Sequence, residues 1–225
     1  MRVVFDHAED EAADIKTFFF RSHKPVEYEA GQFIELTMSG GDKHWFTLSS
    51  APEDELLSIT TRRSTSAFKQ ALWALQPGET VPMAAPMGDF VLPKDTARPL
   101  IFVAAGLGIT PFHSICRHLA NTHEDRPIRF FYAVSLERDI IFLDTFDKLG
   151  LHVTIFVTEP TAAWGGERGH ITAEQIIELS QPTAESLIYV AGPEPMVEQL
   201  RKDLITKKIA SEQIVGDYFP GYQPV

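Results

Sequence analysis

Two glycines two residues apart, Gly106 and Gly108, separate a short apolar run, Leu100–Ala104, from a stretch beginning at Pro111. In that stretch Phe112, Ile115, Cys116 and Leu119 fall at helical spacing. Strand, glycine turn and helix together aim free backbone N–H groups and the positive end of a helix dipole at one point, where a phosphate can rest. A lone GxG serves equally well as a tight turn in any α/β unit. A second possible anion site lies at Ser64-Thr65-Ser66, ahead of a helical stretch Ser66–Leu75 that Pro77-Gly78 ends. Ser64 or Thr65 can cap that helix, whose first N–H groups again face outward. A capped helix closing the mouth of a sheet is the plainer account. The third candidate is His44-Trp45-Phe46-Thr47-Leu48-Ser49-Ser50-Ala51-Pro52, where an aromatic stands next to a hydroxyl residue on a strand that ends in Ser-Ser-Ala-Pro. On its residues alone it is a half-buried strand leading into a turn.

Several chemistries are excluded. The eight histidines show no HExxH spacing, His113 and His118 would fall on different helix faces, and no GxSxG elbow is present. No metal site and no hydrolase are therefore expected. The formal net charge of -11 argues against nucleic acid and against an anionic membrane surface. One cysteine, Cys116, can neither close an intramolecular disulfide nor ligate an iron–sulfur cluster. The start lacks a cationic region followed by a long apolar one, and no apolar run approaches the ~18 residues of a membrane span. A soluble cytoplasmic protein is the expectation.

The elements that must position these residues differ between the two halves. Up to Pro93, six short runs rich in β-branched and aromatic residues (Val3–Phe5, Ile15–Phe20, Phe33–Met38, Trp45–Leu48, Leu56–Thr61 and Thr80–Met83) are punctuated by Pro, Gly, Asp and Ser. They predict a small antiparallel six-stranded barrel. From Leu100, strands (Leu100–Ala104, Ile128–Val134, Leu151–Val157, Ser186–Ala191) alternate with helices (from Pro111, then Ile141–Leu149, Ala173–Leu179, Pro195–Lys207), the mark of a parallel, Rossmann-like sheet. Ligands in such sheets sit at the carboxyl ends of strands, where Gly106, Ser135, Thr158 and Gly192 fall. The expected division is 1–97 and 98–225.

These segments resemble the ferredoxin–NADP reductase family. His44-x-Phe46-Thr47-x-x-Ser50 is similar to its Arg-x-Tyr-Ser-x-x-Ser flavin signature, and Ser64-Thr65-Ser66 stands where its pyrophosphate loop lies, with Ser64 replacing the usual glycine. Pro77-Gly78-Glu79 and Ala85-Pro86-Met87-Gly88-Asp89-Phe90 resemble the segments that end its barrel. Ala105-Gly106-Leu107-Gly108-Ile109-Thr110-Pro111 resembles its GGxGxTP turn, and Ala191-Gly192-Pro193-Glu194-Pro195-Met196 its CGPxPM turn, with Ala191 for Cys. These motifs occur in the family's order over nearly the whole chain.

The resemblance implies a short form without an iron–sulfur domain: a barrel holding FAD, with FMN the less favoured flavin, and a nucleotide domain presenting NADPH or NADH. Electrons would pass to a separate acceptor, a protein (ferredoxin, flavodoxin or an oxygenase component) or a small molecule (a quinone or free flavin). Thr47 and Thr110 would be the catalytic residues. Flavin contacts would come from His44, Phe46, Thr47, Leu48, Thr61, Arg62, Thr65, Ser66 and Ala67, and nicotinamide nucleotide contacts from Gly106, Gly108, Thr110, Ser135, Arg138, Gly192, Pro193 and Met196. Ser135 with Arg138 could hold a 2′-phosphate, or Arg138 could be a solvated charge beside Glu137 and Asp139, so the choice of NADH or NADPH stays open. The family commonly lays an aromatic from the C-terminal region over the flavin. Tyr222 is the candidate, with Phe219 the alternative, and pinning of the tail is the competing role. The replacements at His44, Ser64 and Ala191 keep a second reading in play: a non-catalytic nucleotide-binding subunit, or the electron-transfer subunit of a larger flavoenzyme.

Overall fold

A computed structural model describes residues 1–38 and 40–219. Its first half holds six strands: β1 (Arg2–Ala12), β2 (Ile15–Ser22), β3 (Phe33–Thr37), β4 (Lys43–Thr47), β5 (Leu57–Arg62) and β6 (Thr80–Pro82), with helix α1 (Ala67–Ala74) between the last two. They do not form one six-stranded ladder. Four make an antiparallel sheet in the order β5-β2-β1-β6, while β3 and β4 form a separate hairpin. Isolated bridges Phe33↔Met87, Leu36↔Met83 and Leu48↔Ile59 tie the hairpin to its neighbours. Ile34, Leu36 and Phe46 of the hairpin share one buried cluster with Val3, Phe18, Phe20 and Ile59 of the sheet. The two sheets thus close on a common apolar interior without continuous pairing. Strand β1 runs well past Phe5 because β2 pairs with it as far as Ala12↔Ile15, which overrides the weak strand preference of its acidic second half.

The second half is a doubly wound sheet. Strands β7 (Leu100–Ala105), β8 (Ile128–Val134), β9 (Val153–Val157), β10 (Glu167–Arg168), β11 (Leu187–Pro193) and β12 (Ile214–Phe219) lie parallel in the order β10-β9-β8-β7-β11-β12. Helices are α2 (Ile109–Thr122), α3 (Leu143–Lys148), α4 (Ala173–Ser180) and α5 (Glu194–Thr206). The unbroken apolar run at β7 follows from coverage of both faces. Leu100, Phe102 and Ala104 pack under α2 and α3, whereas Ile101 and Val103 pack with Ile176, Val197 and Leu200 of α4 and α5. Asp217–Phe219 belong to β12, which pairs with β11 from Ile188↔Ile214 to Pro193↔Phe219. Tyr222 lies outside the described residues.

The strand order reverses direction between β7 and β11, and at such a point the loops leaving the two strands part to form a crevice. Here those loops are the glycine turns. A Cβ on Gly108 would lie 2.1 Å from the Ala191 carbonyl oxygen, so only glycine lets the start of α2 sit against the end of β11. Gly106 is different: its φ is +52° and a Cβ there would meet nothing within 4 Å. One glycine is required by packing and the other leaves bare backbone facing open space. Gly108→Ala should lower stability by about 3 kcal/mol through overpacking, and Gly106→Ala by only about 1 kcal/mol through its left-handed backbone. Denaturant melts of the two variants check the difference.

Candidate functional site

Helix α2 is the shared wall between the halves. Its apolar side, Phe112, Ile115, Cys116 and Leu119, is buried in the core of the parallel sheet. Its other side meets the Ser49–Asp54 segment that follows β4. The His113 Nδ1–H donates to the Ser49 carbonyl (2.8 Å), and the Ser114 hydroxyl donates to the Ser50 carbonyl (2.5 Å). Arg117 grips Asp54 with two hydrogen bonds of 2.7 Å each. Burial alone would raise the Asp54 carboxyl, but Arg117, the Ala51 N–H and Asn121 together hold it below the ordinary range. Ser49 is fixed from the opposite side by a chain of hydroxyls: its Oγ donates to Thr60, Thr60 bonds Thr17, and Thr17 donates to Glu11. Helix α2 therefore fixes the end of β4 relative to the glycine turn from which the helix starts.

Thr47 ends β4 and is 3% exposed, yet among the described residues its buried Oγ1 has no hydrogen-bond partner. A buried hydroxyl left unpaired is costly, and such atoms are uncommon in native folds. Phe46 is 8% exposed and packs on Phe68, which also meets the exposed ring of His44 at 4.4 Å between centroids. His44 is thereby placed beside the first turn of α1. Leu48, just past β4 and bridged to Ile59, and Thr61 of β5 are buried. Ser66 caps α1 by accepting from the Lys69 N–H, its own N–H donates to Ser64 Oγ at 3.4 Å, and Thr65, Ser66 and Ala67 are exposed. A cavity of about 190 Å³ adjoins it, lined by Arg63, Ser64, Lys69, Gln70, Trp73 and Ala74. The Lys69 ammonium donates to the Arg62 carbonyl, and burial, aided by the Arg62 charge, pulls its pKa down to about 8. The Arg62 guanidinium itself binds Asp14 and Asp139.

On the other side of the crevice, the Thr110 hydroxyl donates to the Leu107 carbonyl (3.0 Å), which stiffens the glycine turn and leaves its oxygen able to accept. Gly192, Pro193 and Met196 face that turn, since a Cβ on Gly192 would touch both Met196 Cε and Ala105. Ser135 and Arg138 are exposed at the carboxyl end of β8, and the Glu159 N–H donates to the Ser135 carbonyl. Candidate residues thus lie around the first turns of α1 and α2, with Ser135 and Arg138 beyond β8 and Thr47 at the end of the strand that α2 fixes. Sequence reasoning did not identify His113, Ser114 and Arg117 as the fastening. The available signal was the polar pair His113-Ser114 inside an apolar helix, matched by Ser49-Ser50. No group of His, Cys, Asp and Glu suited to a metal ion is present among the described residues, and no helix among them is long and apolar enough to cross a membrane.

Comparison with known proteins agrees with this geometry. The model of the oxidoreductase NAD-binding domain matches residues 102–202. The chain is 26% identical over 262 residues to flavohemoprotein B of Dictyostelium discoideum, covering 99% of this chain and 60% of that protein. It is 26% identical over 214 residues to the reductase component of propane 2-monooxygenase from Mycolicibacterium smegmatis, covering 87% of this chain and 62% of that one. The chain therefore spans about three fifths of the length of these relatives. In fold it is similar to a ferredoxin NADP+ reductase from Neisseria gonorrhoeae with bound FAD and NADP, with a TM-score of 0.82 at 19% identity over 97% of this chain and 98% of that one.

His113 also accepts at Nε2 from Thr145 (3.1 Å) and stacks on Phe142 at 3.8 Å. Burial is the main cause that lowers its pKa from 6.5 to about 4, with the Arg117 charge adding to it. A depressed folded value means that the unfolded chain binds this proton first, so the contribution to stability is complete above pH 6.5 and is lost as pH falls toward 4. Between those values this residue should cost about 1.4 kcal/mol per pH unit. His113→Asn, which keeps a donor for Ser49 but does not titrate, should flatten that part of the profile in urea melts taken from pH 7 to pH 4.

Proposed function

Since the chain is a ferredoxin reductase-like protein whose residues 102–202 form an oxidoreductase NAD-binding domain, we propose that it is a flavin-dependent NAD(P)H oxidoreductase that hands electrons to a separate acceptor. The buried Oγ1 of Thr47, with no hydrogen-bond partner among the described residues, carries this reading. It is a hydrogen-bonding atom held dry at the end of β4, suited to a heteroatom on the edge of a planar, polar ring. Bound FAD would supply the step between a two-electron nicotinamide and the acceptor.

The protein's part is to hold and orient. Residues 1–97 would carry the flavin, with the strands of the first half acting as its barrel, and residues 98–225 the nicotinamide nucleotide. Thr47 would meet the ring edge, and Phe46 with Leu48 would back it. The N–H groups of the exposed Thr65–Ala67 turn would take the pyrophosphate, with the Ser66 N–H exchanging its bond to Ser64 Oγ, assisted by His44, Arg63 and Lys69. The bare backbone at Gly106 would admit the second dinucleotide. Thr110, Gly192, Pro193 and Met196 would bound the nicotinamide, and Ser135 and Arg138 would meet the far ribose. The acceptor class remains that of the sequence reading, an oxygenase component, a ferredoxin or flavodoxin, a quinone or free flavin. The relatives that are reductase components of oxygenases favour the first.

Purified protein should show the visible absorption of a bound flavin, and NADH or NADPH should bleach it anaerobically. A colourless protein that takes up no added flavin would refute the reading. Thr47→Val should separate the chemistry from the fold. Replacing an unpaired hydroxyl by a methyl of similar shape should leave the flavin-free protein as stable or about 1 kcal/mol more stable. It should slow flavin reduction by roughly tenfold, the rate equivalent of one lost hydrogen bond near 1.4 kcal/mol. Thermal melts of the flavin-free protein and stopped-flow absorbance read the two effects.

A further inference from the structure

The Arg62 guanidinium stands between two carboxylates on different parts of the chain. Nη1 donates to Asp14 Oδ2 at 2.9 Å, in the turn that joins β1 and β2. Nη2 lies 3.1 Å from Asp139 Oδ1, on the turn that follows β8. The Asp139 side chain is 9% exposed, against 43% for Asp14. Burying a charge without a partner is strongly unfavourable, so the Asp139 carboxylate holds Arg62 in place far more firmly than a solvated partner would. A guanidinium that left to bind a phosphate would leave Asp139 dry and unpaired. The residue at the end of β5 is therefore committed, while Lys69, Arg63 and His44 stand at the neighbouring α1 turn.

From this geometry we infer that Arg62 is an interdomain strut, a positioning residue that sets the spacing of the two cofactors, and is not a phosphate ligand. Arg62 immediately precedes the Arg63–Ser66 segment leading into α1, and Asp139 immediately follows Arg138 in the turn beyond Ser135. One ion pair thus joins the segment assigned to the flavin phosphates to the turn assigned to the nicotinamide nucleotide. The seam along α2 fastens the halves near the reacting ends of the cofactors. The Arg62–Asp139 pair fastens them a second time, at the turns that hold the phosphate and ribose ends, and two separated fastenings resist rotation where one permits it. The inference rests on the flavin reductase reading above.

The test compares Asp139→Asn, Arg62→Lys, Asp14→Asn and the swapped pair Arg62→Asp with Asp139→Arg. Four readouts are needed: flavin dissociation constant by fluorescence, limiting rate of anaerobic flavin reduction at saturating NAD(P)H, long-wavelength nicotinamide–flavin charge-transfer absorbance, and melting of the flavin-free protein. Small misplacement of reacting groups costs up to about a hundredfold in rate, so Asp139→Asn should lower the limiting rate at least about tenfold and weaken the charge-transfer band. Its flavin dissociation constant should change less than about twofold, since no phosphate contact is touched. Asp14→Asn, which removes the more exposed carboxylate, should leave all readouts near wild type. The swapped pair should recover much of the lost rate, and in flavin-free protein the Arg62 and Asp139 substitutions should be non-additive in melting. Two results would overturn the strut. One is flavin affinity falling in Arg62→Lys with the limiting rate of the loaded protein unchanged, which would make Arg62 a phosphate ligand. The other is Asp139→Asn matching wild type throughout. If Asp139→Asn fails to fold, Arg62→Lys and the swapped pair decide the matter alone. A wild-type protein that binds no flavin would instead remove the reductase reading, leaving the non-additivity in melting to report on the pair.

Discussion

The grip of helix α2 on the Ser49–Asp54 segment is the constraint from which the rest of the arrangement follows. It is a polar seam, in which His113, Ser114 and Arg117 each meet a backbone carbonyl or carboxylate of the other half. Apolar contact alone would let the halves slide, because it has no preferred register. Directional hydrogen bonds give the seam one register, and partly buried bonds are costly to leave unmade. The same helix begins at the glycine turn, so the position of Thr47 at the end of β4 and the position of Gly106 are fixed by one rigid body.

The parallel sheet contributes the other half of the geometry. Its strands are covered on both faces, which makes the carboxyl ends of β7 and β11 the place where backbone stays open. Close approach at Gly108 and Gly192 keeps those two loops in contact with one another, and the left-handed Gly106 faces away from both. Packing requires the missing side chain at Gly108 and Gly192, whereas at Gly106 it is the left-handed backbone that favours glycine.

Much of this was legible in the sequence because it rests on local rules. All six strands of the first half, helix α1 and the alternation of the second half follow from periodicity and from Gly and Pro punctuation, and the glycine turns lie where expected. What escaped were features set by tertiary partners. The second half of β1 is acidic and takes strand form because β2 is there to pair with. Strand β12 was hidden because Ile214–Phe219 gains its place by addition to β11. The pairing of the first-half strands into a sheet of four and a hairpin is a matter of closure, on which a list of strands is silent. The commitment of Arg62 was illegible for the same reason: Asp14 and Asp139 lie 48 and 77 positions away in sequence, and only folding brings them to one guanidinium.

The core of the parallel sheet also draws residues from outside its own stretch of chain. Ile15, Ala30 and Phe90 belong to the same buried cluster as Phe102, Phe112 and Tyr189, and Phe90 meets the rings of both Phe112 and Tyr189 edge-on. The Tyr189 hydroxyl donates to the Val91 carbonyl at 2.7 Å, which ties the segment between the halves to the floor of the sheet. A backbone break after Ala97 would consequently not yield two modules that can be exchanged with those of another protein. The second fragment would begin with an uncovered aromatic floor, and any chimera joined at that position would have to bring along its own counterparts of Ile15, Ala30 and Phe90.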